Sequence, residues 1–233
     1  MKKKILVFSG AGVSAESGIS TFRHSNGLWE NHSIEDVASP EGWKRNPKLV
    51  LDFYNKRRAQ LKDVQPNKAH EIIASLEDYF DVIVVTQNVD DLHERAGSTK
   101  VIHLHGELTK VRSINNLDSP IEWTEDLNIG DVCANGFQLR PHIVWFGEML
   151  NEDFIHASRL AAESAEACVI VGTSLQVYPA NEIPYFTRKD CPIFVIDPNA
   201  SDLILSGNHS NIHILNTIAS KGMSSVRDKL LAK

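Results

Sequence analysis

Lys4-Ile5-Leu6-Val7-Phe8-Ser9-Gly10-Ala11-Gly12-Val13-Ser14-Ala15-Glu16-Ser17-Gly18-Ile19 runs from an apolar strand into a glycine-rich turn, and from there into a helix-compatible segment. A turn of this kind offers backbone to a nucleotide. Gly10 and Gly12 let the main chain approach a pyrophosphate with no Cβ in the way, while free N–H groups at a helix start favour its negative charge. The third glycine, Gly18, lies beyond its place in the common dinucleotide fingerprint. By itself the loop therefore fits both a nucleotide turn and a tight strand-to-helix turn that only needs glycine.

Outward from this stretch, short apolar runs recur at Ile5–Phe8, Val82–Val85, Cys168–Val171 and Ile193–Ile196, the pattern of strands buried on both faces. Helical periodicity occupies Pro47–Leu61, Asn67–Leu76 and Phe154–Ala165 between them. The alternation predicts an α/β fold with a doubly wound parallel sheet. Each strand is followed by a polar or glycine-rich end: Ser9-Gly10-Ala11-Gly12, Thr86-Gln87-Asn88-Val89-Asp90, Gly172-Thr173-Ser174 and Asp197-Pro198-Asn199. Ligands of open α/β sheets bind beyond the carboxyl ends of the strands, so four such ends converging on one crevice favour the nucleotide reading.

The 233 residues, 42% of them hydrophobic, suffice for one domain with a sizeable core. A formal net charge of −6 argues against a nucleic-acid surface, which needs a basic excess. Cys133, Cys168 and Cys191 show no regular spacing and read as reduced thiols. The basic Met1-Lys2-Lys3-Lys4 start leads into an apolar run too short for a signal peptide, and no stretch approaches the length of a membrane span. A cytoplasmic monomer that engages neither membrane nor specific nucleic acid is the expectation. Two regions exceed simple crossovers: about 23–62 is expected to form a helical module or lid over the sheet, and about 109–140, polar and anchored by Trp123, a small insertion lobe.

The motif series Gly10-Ala11-Gly12-Val13-Ser14, Gly18-Ile19-Ser20-Thr21-Phe22-Arg23, Thr86-Gln87-Asn88-Val89-Asp90, His105-Gly106, Val144-Trp145-Phe146-Gly147-Glu148, Gly172-Thr173-Ser174 and Val177-Tyr178-Pro179 resembles that of the sirtuin family, in the family's order and over essentially the whole chain. With Ala38, Tyr54 and Arg57 it is most similar to the compact bacterial lysine deacylases. The resemblance implies one catalytic domain spanning 1–233 on a Rossmann-like sheet. It also implies consumption of NAD to remove acyl groups from lysine side chains of peptides or proteins, releasing nicotinamide and O-acyl-ADP-ribose.

Residue by residue, the resemblance implies that Asn88 and Asp90 hold the nicotinamide carboxamide and adjacent groups. Gln87 and Ser14 touch the ribose region, and Phe22 with Arg23 closes the loop over the cofactor. Gly10, Ala11, Gly12, Glu16, Trp29, Gly172, Thr173, Ser174 and Ala219 join the cofactor site. The residue types suit these tasks, since an amide recognises an amide and an apolar ring shields a reactive face from water. His105 is the candidate general base for a ribose hydroxyl. His103 competes with it, because alternate residues of an extended segment share a face; the choice rests on Gly106, which matches the family pattern.

Within Pro47–Leu61, Val50, Tyr54, Arg57 and Leu61 fall on one helical face, so Arg57 interrupts an apolar stripe. A guanidinium there calls for an anion, although snorkelling or pairing with a protein carboxylate would also satisfy it. In sirtuins with a Tyr-x-x-Arg pair at this place, the two residues bind the distal carboxylate of malonyl-, succinyl- or glutaryl-lysine, and Ala38 leaves room for the chain. The expectation is a desuccinylase-type enzyme that retains deacetylase activity. The peptide is expected to lie extended between the backbones of Gly147-Glu148 and Val177-Tyr178, with Val144 and Phe146 lining the lysine tunnel.

Most sirtuins carry four cysteines that bind a structural zinc in the small lobe. Here only Cys133 remains, with Ser113 where the first ligand should stand, and one thiolate cannot close a tetrahedral site. His142 belongs to the run leading into the tunnel strand. No metal is expected, and packing of Ile121, Trp123, Leu127 and Phe137 is expected to hold the lobe. Asp197-Pro198-Asn199 departs from the usual adenine-side ribose contacts, so the register of Asp197 and Asn199 stays open. Two rivals stand beside the deacylase: a mono-ADP-ribosyltransferase or NAD hydrolase on the same scaffold, and a non-catalytic NAD-responsive module.

Overall fold

The computed structural model describes residues 2–20, 32–115, 119–200 and 211–232 together with the backbone of 28–29. Phe22, Arg23 and the side chain of Trp29 lie outside the described residues. In chain order the strands are β1 (Lys4–Ser9), β2 (Leu28–Trp29), β3 (His32–Ser33), β4 (Asp81–Thr86), β5 (Val101–His103), β6 (Gly106–Ser113), β7 (Ile121–Glu122), β8 (Leu139–Ile143), β9 (Ala167–Val171), β10 (Ile193–Ile196) and β11 (Ile212–Leu215). The α-helices are α1 (Ile34–Val37), α2 (Pro40–Arg45), α3 (Pro47–Asp63), α4 (Lys68–Ser75), α5 (Leu92–Arg95), α6 (Glu152–Ser164) and α7 (Ala219–Leu231).

The main sheet has the order β11-β10-β9-β1-β4-β5, with every neighbouring pair parallel. The sheet grows one way from β1 through β4 to β5, then restarts on the other side of β1 with β9. That reversal opens a crevice beyond the ends of β1 and β9. Alternation along β1 explains the two covered faces. Ile5 and Val7 pack with residues of α4 and α7 on one side, while Leu6 and Phe8 pack with Ala161 and Ala162 of α6 on the other. The four apolar runs singled out in the sequence are all strands of this sheet. The edge strands β5 and β11 and the helix α7 were missed, because half-buried edges lack a continuous apolar run.

Helix starts follow local chemistry. Pro40 and Pro47 open α2 and α3 behind Ser39 and Asn46, whose side chains accept from the N–H of Gly42 and Leu49. Asn67 caps α4 in a reciprocal box with His70. The module formed by α1 to α3 packs Val37, Val50, Phe53, Tyr54 and Leu61 against Leu108, Ile143 and Trp145. It builds a second lobe with the antiparallel sheet β7-β6-β8. That lobe extends from Gly106 to Ile143, beyond the 109–140 read from composition.

Packing in the small lobe also differs from the expectation. Leu51, Val111, Leu127 and Leu139 are its buried core, with Trp123 and Cys133 packed against it, whereas Ile121 and Phe137 stand exposed at 48% and 44%. The reason is register: Ile121 sits on the two-residue edge strand β7, whose side chains are both exposed. Asn55 of α3 secures the lobe through its amide, which donates to Leu127 O at 3.0 Å and accepts from Leu127 N–H at 2.9 Å. Ser113, where the family's first zinc ligand would stand, is buried and hydrogen-bonds to Asn115, and among the described residues no cluster of three metal-ligating side chains occurs.

Candidate active site

Two glycine-bearing loops interlock at the crevice. Gly10 N–H donates to Val171 O at 3.1 Å and Gly12 N–H to Gly172 O at 2.8 Å. A Cβ on Gly12 would lie 2.6 Å from Gly172 Cα, and one on Gly172, whose φ is +65°, would lie 2.2 Å from Val13 N. These glycines are therefore demanded first by the close passage of the two loops, and the N–H groups of Gly10 and Gly12 are not free for a phosphate. The segment after them is also not an α-helix. It forms two single 3₁₀ turns, Ala11–Val13 and Ala15–Ser17, closed by left-handed Gly18, so the expected helix dipole does not arise there.

A cleft of about 610 Å³ lies beyond these loops. Its walls carry Gly10, Ala11, Gly12 and Glu16 from the first loop, Gly172, Thr173 and Ser174 from the second, and Asp197, Asn199 and Ala219 from the far side. Gln87, Asn88, Asp90 and His105 form its floor, and Ala38, Tyr54, Arg57, Val144, Phe146, Gly147, Glu148, Val177 and Tyr178 line the end toward the second lobe. Ser14, buried beneath, does not line the cleft but binds its floor. Glu16 accepts from Ser220 N–H at 2.9 Å and Ser220 Oγ at 2.6 Å, tying the first loop to the first turn of α7. Asp197 Oδ1 accepts from Asn199 N–H at 2.9 Å, which bends the chain after β10 into the wall.

The floor is built on a buried polar network. Ser14 Oγ accepts from Asn88 Nδ2 at 3.1 Å and donates to Asp90 Oδ2 at 3.0 Å. Below it, His70 Nδ1 faces the N–H of Asn67 at 3.3 Å, so its proton sits on Nε2, 3.5 Å from Ser14 Oγ. Burial pushes His70 down to about 4, which keeps the ring neutral. A second chain runs from His93 Nε2 to Ser9 Oγ at 2.9 Å and on to Thr86 Oγ1 at 2.9 Å, which also receives Asn88 N–H at 3.0 Å. Burial raises Asp90 to about 6, against the hydrogen bonds from Ser14 and the Leu92 backbone. His70 and His93 escaped the sequence reading, which named Ser9 and Thr86 only as parts of polar strand ends. Only the capping pattern Asn67-Lys68-Ala69-His70 offered a local signal.

The two candidate bases now separate. His103 ends β5 at 7% exposure, between Asn88 O and Glu94, and does not line the cleft. His105 stands in the turn before β6, where Gly106 with φ +85° passes so close to β8 that a Cβ would lie 2.0 Å from His142 O. His105 Nδ1 is 2.9 Å from Gln87 O, and since a carbonyl only accepts, the proton is on Nδ1 and the Nε2 lone pair is available. Burial lowers the His105 pKa, so the ring is neutral at pH 7. Gln87 meanwhile accepts from Thr173 Oγ1 at 2.7 Å, linking the β4 and β9 loops.

At the second-lobe end all four of Ile143, Val144, Trp145 and Phe146 border the cleft, with Ile143 and Trp145 buried in the core and Phe146 exposed. Tyr54 is fully buried, and its hydroxyl accepts from Trp145 Nε1 at 3.1 Å. Arg57 is half-buried one turn further along α3, its guanidinium 5.9 Å from the Phe53 ring. Ala38, ending α1, takes Phe146 N–H on its carbonyl at 2.9 Å. The Glu148 carboxylate is engaged by Arg140 at 2.5 Å, Arg112 at 3.2 Å and Trp145 N–H at 2.8 Å, so only its backbone remains to meet a peptide.

This fold matches that of known proteins. The Sir2 family model matches residues 10–179, and the chain belongs to the Sir2 family. It is 49% identical over 229 residues to the NAD-dependent protein deacylase of Helicobacter pylori, covering 98% of each chain. A solved Sir2 homologue in complex with NAD superposes with a TM-score of 0.86 at 36% identity, over 99% of this chain and 90% of the other. A Sir2 structure bound to an acetylated peptide gives 0.80 at 26% identity, over 100% and 95%. Among the described residues no helix is long and apolar enough to cross a membrane.

Proposed function

We propose that this protein is an NAD-dependent lysine deacylase that accepts both acetyl-lysine and acyl-lysines ending in a carboxylate, with His105 as general base. NAD dependence and protein deacylation accord with its relatives in the family. The observation that carries the site assignment is the tautomer of His105: Nδ1 is committed to Gln87 O, leaving a neutral Nε2 at the floor of the cleft. NAD, as the consumed substrate, lies across the β1 and β9 loops. The Asn88 amide and Asp90, fixed through Ser14, meet the nicotinamide end, and Asp197 meets the adenine-side ribose.

The acyl-lysine enters from the second-lobe end, its peptide aligned with the backbones of Gly147-Glu148 and Val177-Tyr178. Nicotinamide leaves the ribose as the acyl oxygen attacks the same carbon from the other face. His105 Nε2 then takes the proton of a ribose hydroxyl so that its oxygen can attack the acyl carbon. Water adds at that carbon, the C–N bond breaks to release lysine as its free amine, and the acyl group departs as O-acyl-ADP-ribose. Arg57 with Tyr54 supplies the charge and hydroxyl that a distal carboxylate requires. Metal plays no part in this reading. Mass spectrometry of products from NAD and a panel of acyl-lysine peptides tests it, run beside His105→Ala. O-acyl-ADP-ribose formed only with peptide, and turnover lowered by about two or more orders of magnitude in the variant, are expected. NAD consumption without peptide would instead mark a hydrolase, and near-normal turnover in His105→Ala would remove the base.

A further inference from the structure

His103 is held on both sides by acceptors. Its Nδ1 lies 3.0 Å from Asn88 O and its Nε2 2.7 Å from a carboxylate oxygen of Glu94. A carbonyl cannot donate, and an ionised carboxylate cannot either, so both ring nitrogens must carry hydrogens. A neutral ring would leave one of the two contacts as lone pair against lone pair. The arrangement is therefore that of an imidazolium joining α5 to the backbone of the residue whose amide holds Ser14.

We propose that His103 is a positioning residue which, as an imidazolium clamped between Glu94 and the Asn88 carbonyl, fixes the nicotinamide-side loop and releases it as the ring loses its proton. This rests on reading Asn88 and Asp90 as contacts to NAD. The surroundings favour the charge. Burial works against the charge, but the hydrogen bond and charge of Glu94 of α5, the Asn88 carbonyl and the charge of Glu107 of β6 together raise the pKa of the ring. Glu94 in turn is lowered by His103 and Lys110 and stays ionised. Because the His103 pKa is raised above 6.5, the clamp is complete below that pH and is lost as pH rises through the higher folded value. The Glu94 side chain is 40% exposed, so water competes for it and the effect is moderate.

Glu94→Gln distinguishes a proton-dependent clamp from a plain structural pair. The amide N–H of the glutamine donates to Nε2 of a neutral ring while Nδ1–H still donates to Asn88 O, so both bonds survive without the proton. Glu94→Ala keeps neither the charge nor the donor. Initial rates at varied NAD from about pH 6 to about pH 10, with the His103 ring titrated by NMR, should show kcat/KM for NAD in the native enzyme falling roughly three- to tenfold through the measured His103 pKa, mostly as a rise in KM. In Glu94→Gln that inflection should vanish with activity at pH 7 retained, and in Glu94→Ala it should shift down towards the ordinary histidine value. A His103 pKa at or below 6.5, or alkaline limbs alike in all three proteins, would overturn the inference. Asn88→Ala separates the two levels: if it is fully active the site reading falls and this inference with it. Inactive Asn88→Ala beside alike alkaline limbs removes only the clamp.

Discussion

Replacing Arg57 by methionine isolates the charge at the acyl end of the cleft. Methionine keeps an apolar stem of similar reach, so the packing of α3 against Phe53 and the cleft wall is retained while the guanidinium is lost. The group is half-buried, and an acyl chain in the cleft would cover it further. A charge-assisted bond to a substrate carboxylate in such a setting contributes about 1.5–3 kcal/mol, or roughly ten- to more than a hundredfold. Tyr54 is the poorer site to perturb. Tyr54→Phe would strip Trp145 Nε1 of its acceptor inside the core, and leaving a buried donor unpaired costs about 1–3 kcal/mol of stability. Steady-state rates of Arg57→Met on succinyl- and acetyl-lysine peptides of one sequence should show KM for the succinyl peptide rising by that factor and the acetyl peptide unchanged or better. Equal losses on both would mean that Arg57 serves the fold, and the enzyme would be a plain deacetylase.

The Asp90 carboxyl is raised from 3.8 to about 6 by burial, so its ionised form costs stability that is absent below pH 3.8, grows between the two values and is complete above about pH 6. Relief of that charge makes Asp90→Asn more stable at pH 7.5 by up to about 3 kcal/mol, less the one acceptor that an amide loses between Ser14 and the Leu92 N–H. Its melting temperature should therefore exceed that of the native protein at pH 7.5 and lose the advantage near pH 4, while turnover falls about a hundredfold or more. An unchanged or lower melting temperature at pH 7.5 would contradict this. Purified protein should contain far less than one zinc per chain by elemental analysis, with activity indifferent to chelators; tightly bound stoichiometric zinc would refute it. Asn55→Ala, which orphans both backbone groups of Leu127, should cost about 2–4 kcal/mol in denaturant unfolding. A loss below about 0.5 kcal/mol would mean that Asn55 does not secure the lobe.

Periodicity alone placed β1, β4, β9 and β10 and the buried stripe of α3, because a strand covered on both faces or a helix with one covered face leaves its repeat in the residues themselves. The strand ends that form the cleft could be read for the same reason, since the carboxyl end of a parallel strand is a fixed place in the sheet. Spacing could not decide between His103 and His105. That needed the turn at Gly106, which rotates one ring into the cleft and leaves the other between Asn88 and Glu94. Gly10 and Gly12 were legible as glycines required by a loop, but their immediate cause, the passage of Gly172 across them, joins residues some 160 positions apart. The network beneath the floor, with Ser14 and His70 bound to Asn88 and Asp90, likewise gathers side chains from three separate segments, and the exposed Ile121 looks like a core residue until β7 is seen at an edge. Local pattern carries what one segment does with its own faces. Which proton sits on which nitrogen, and which charge has a partner, depends on atoms brought from elsewhere in the chain, and only the tertiary structure supplies those.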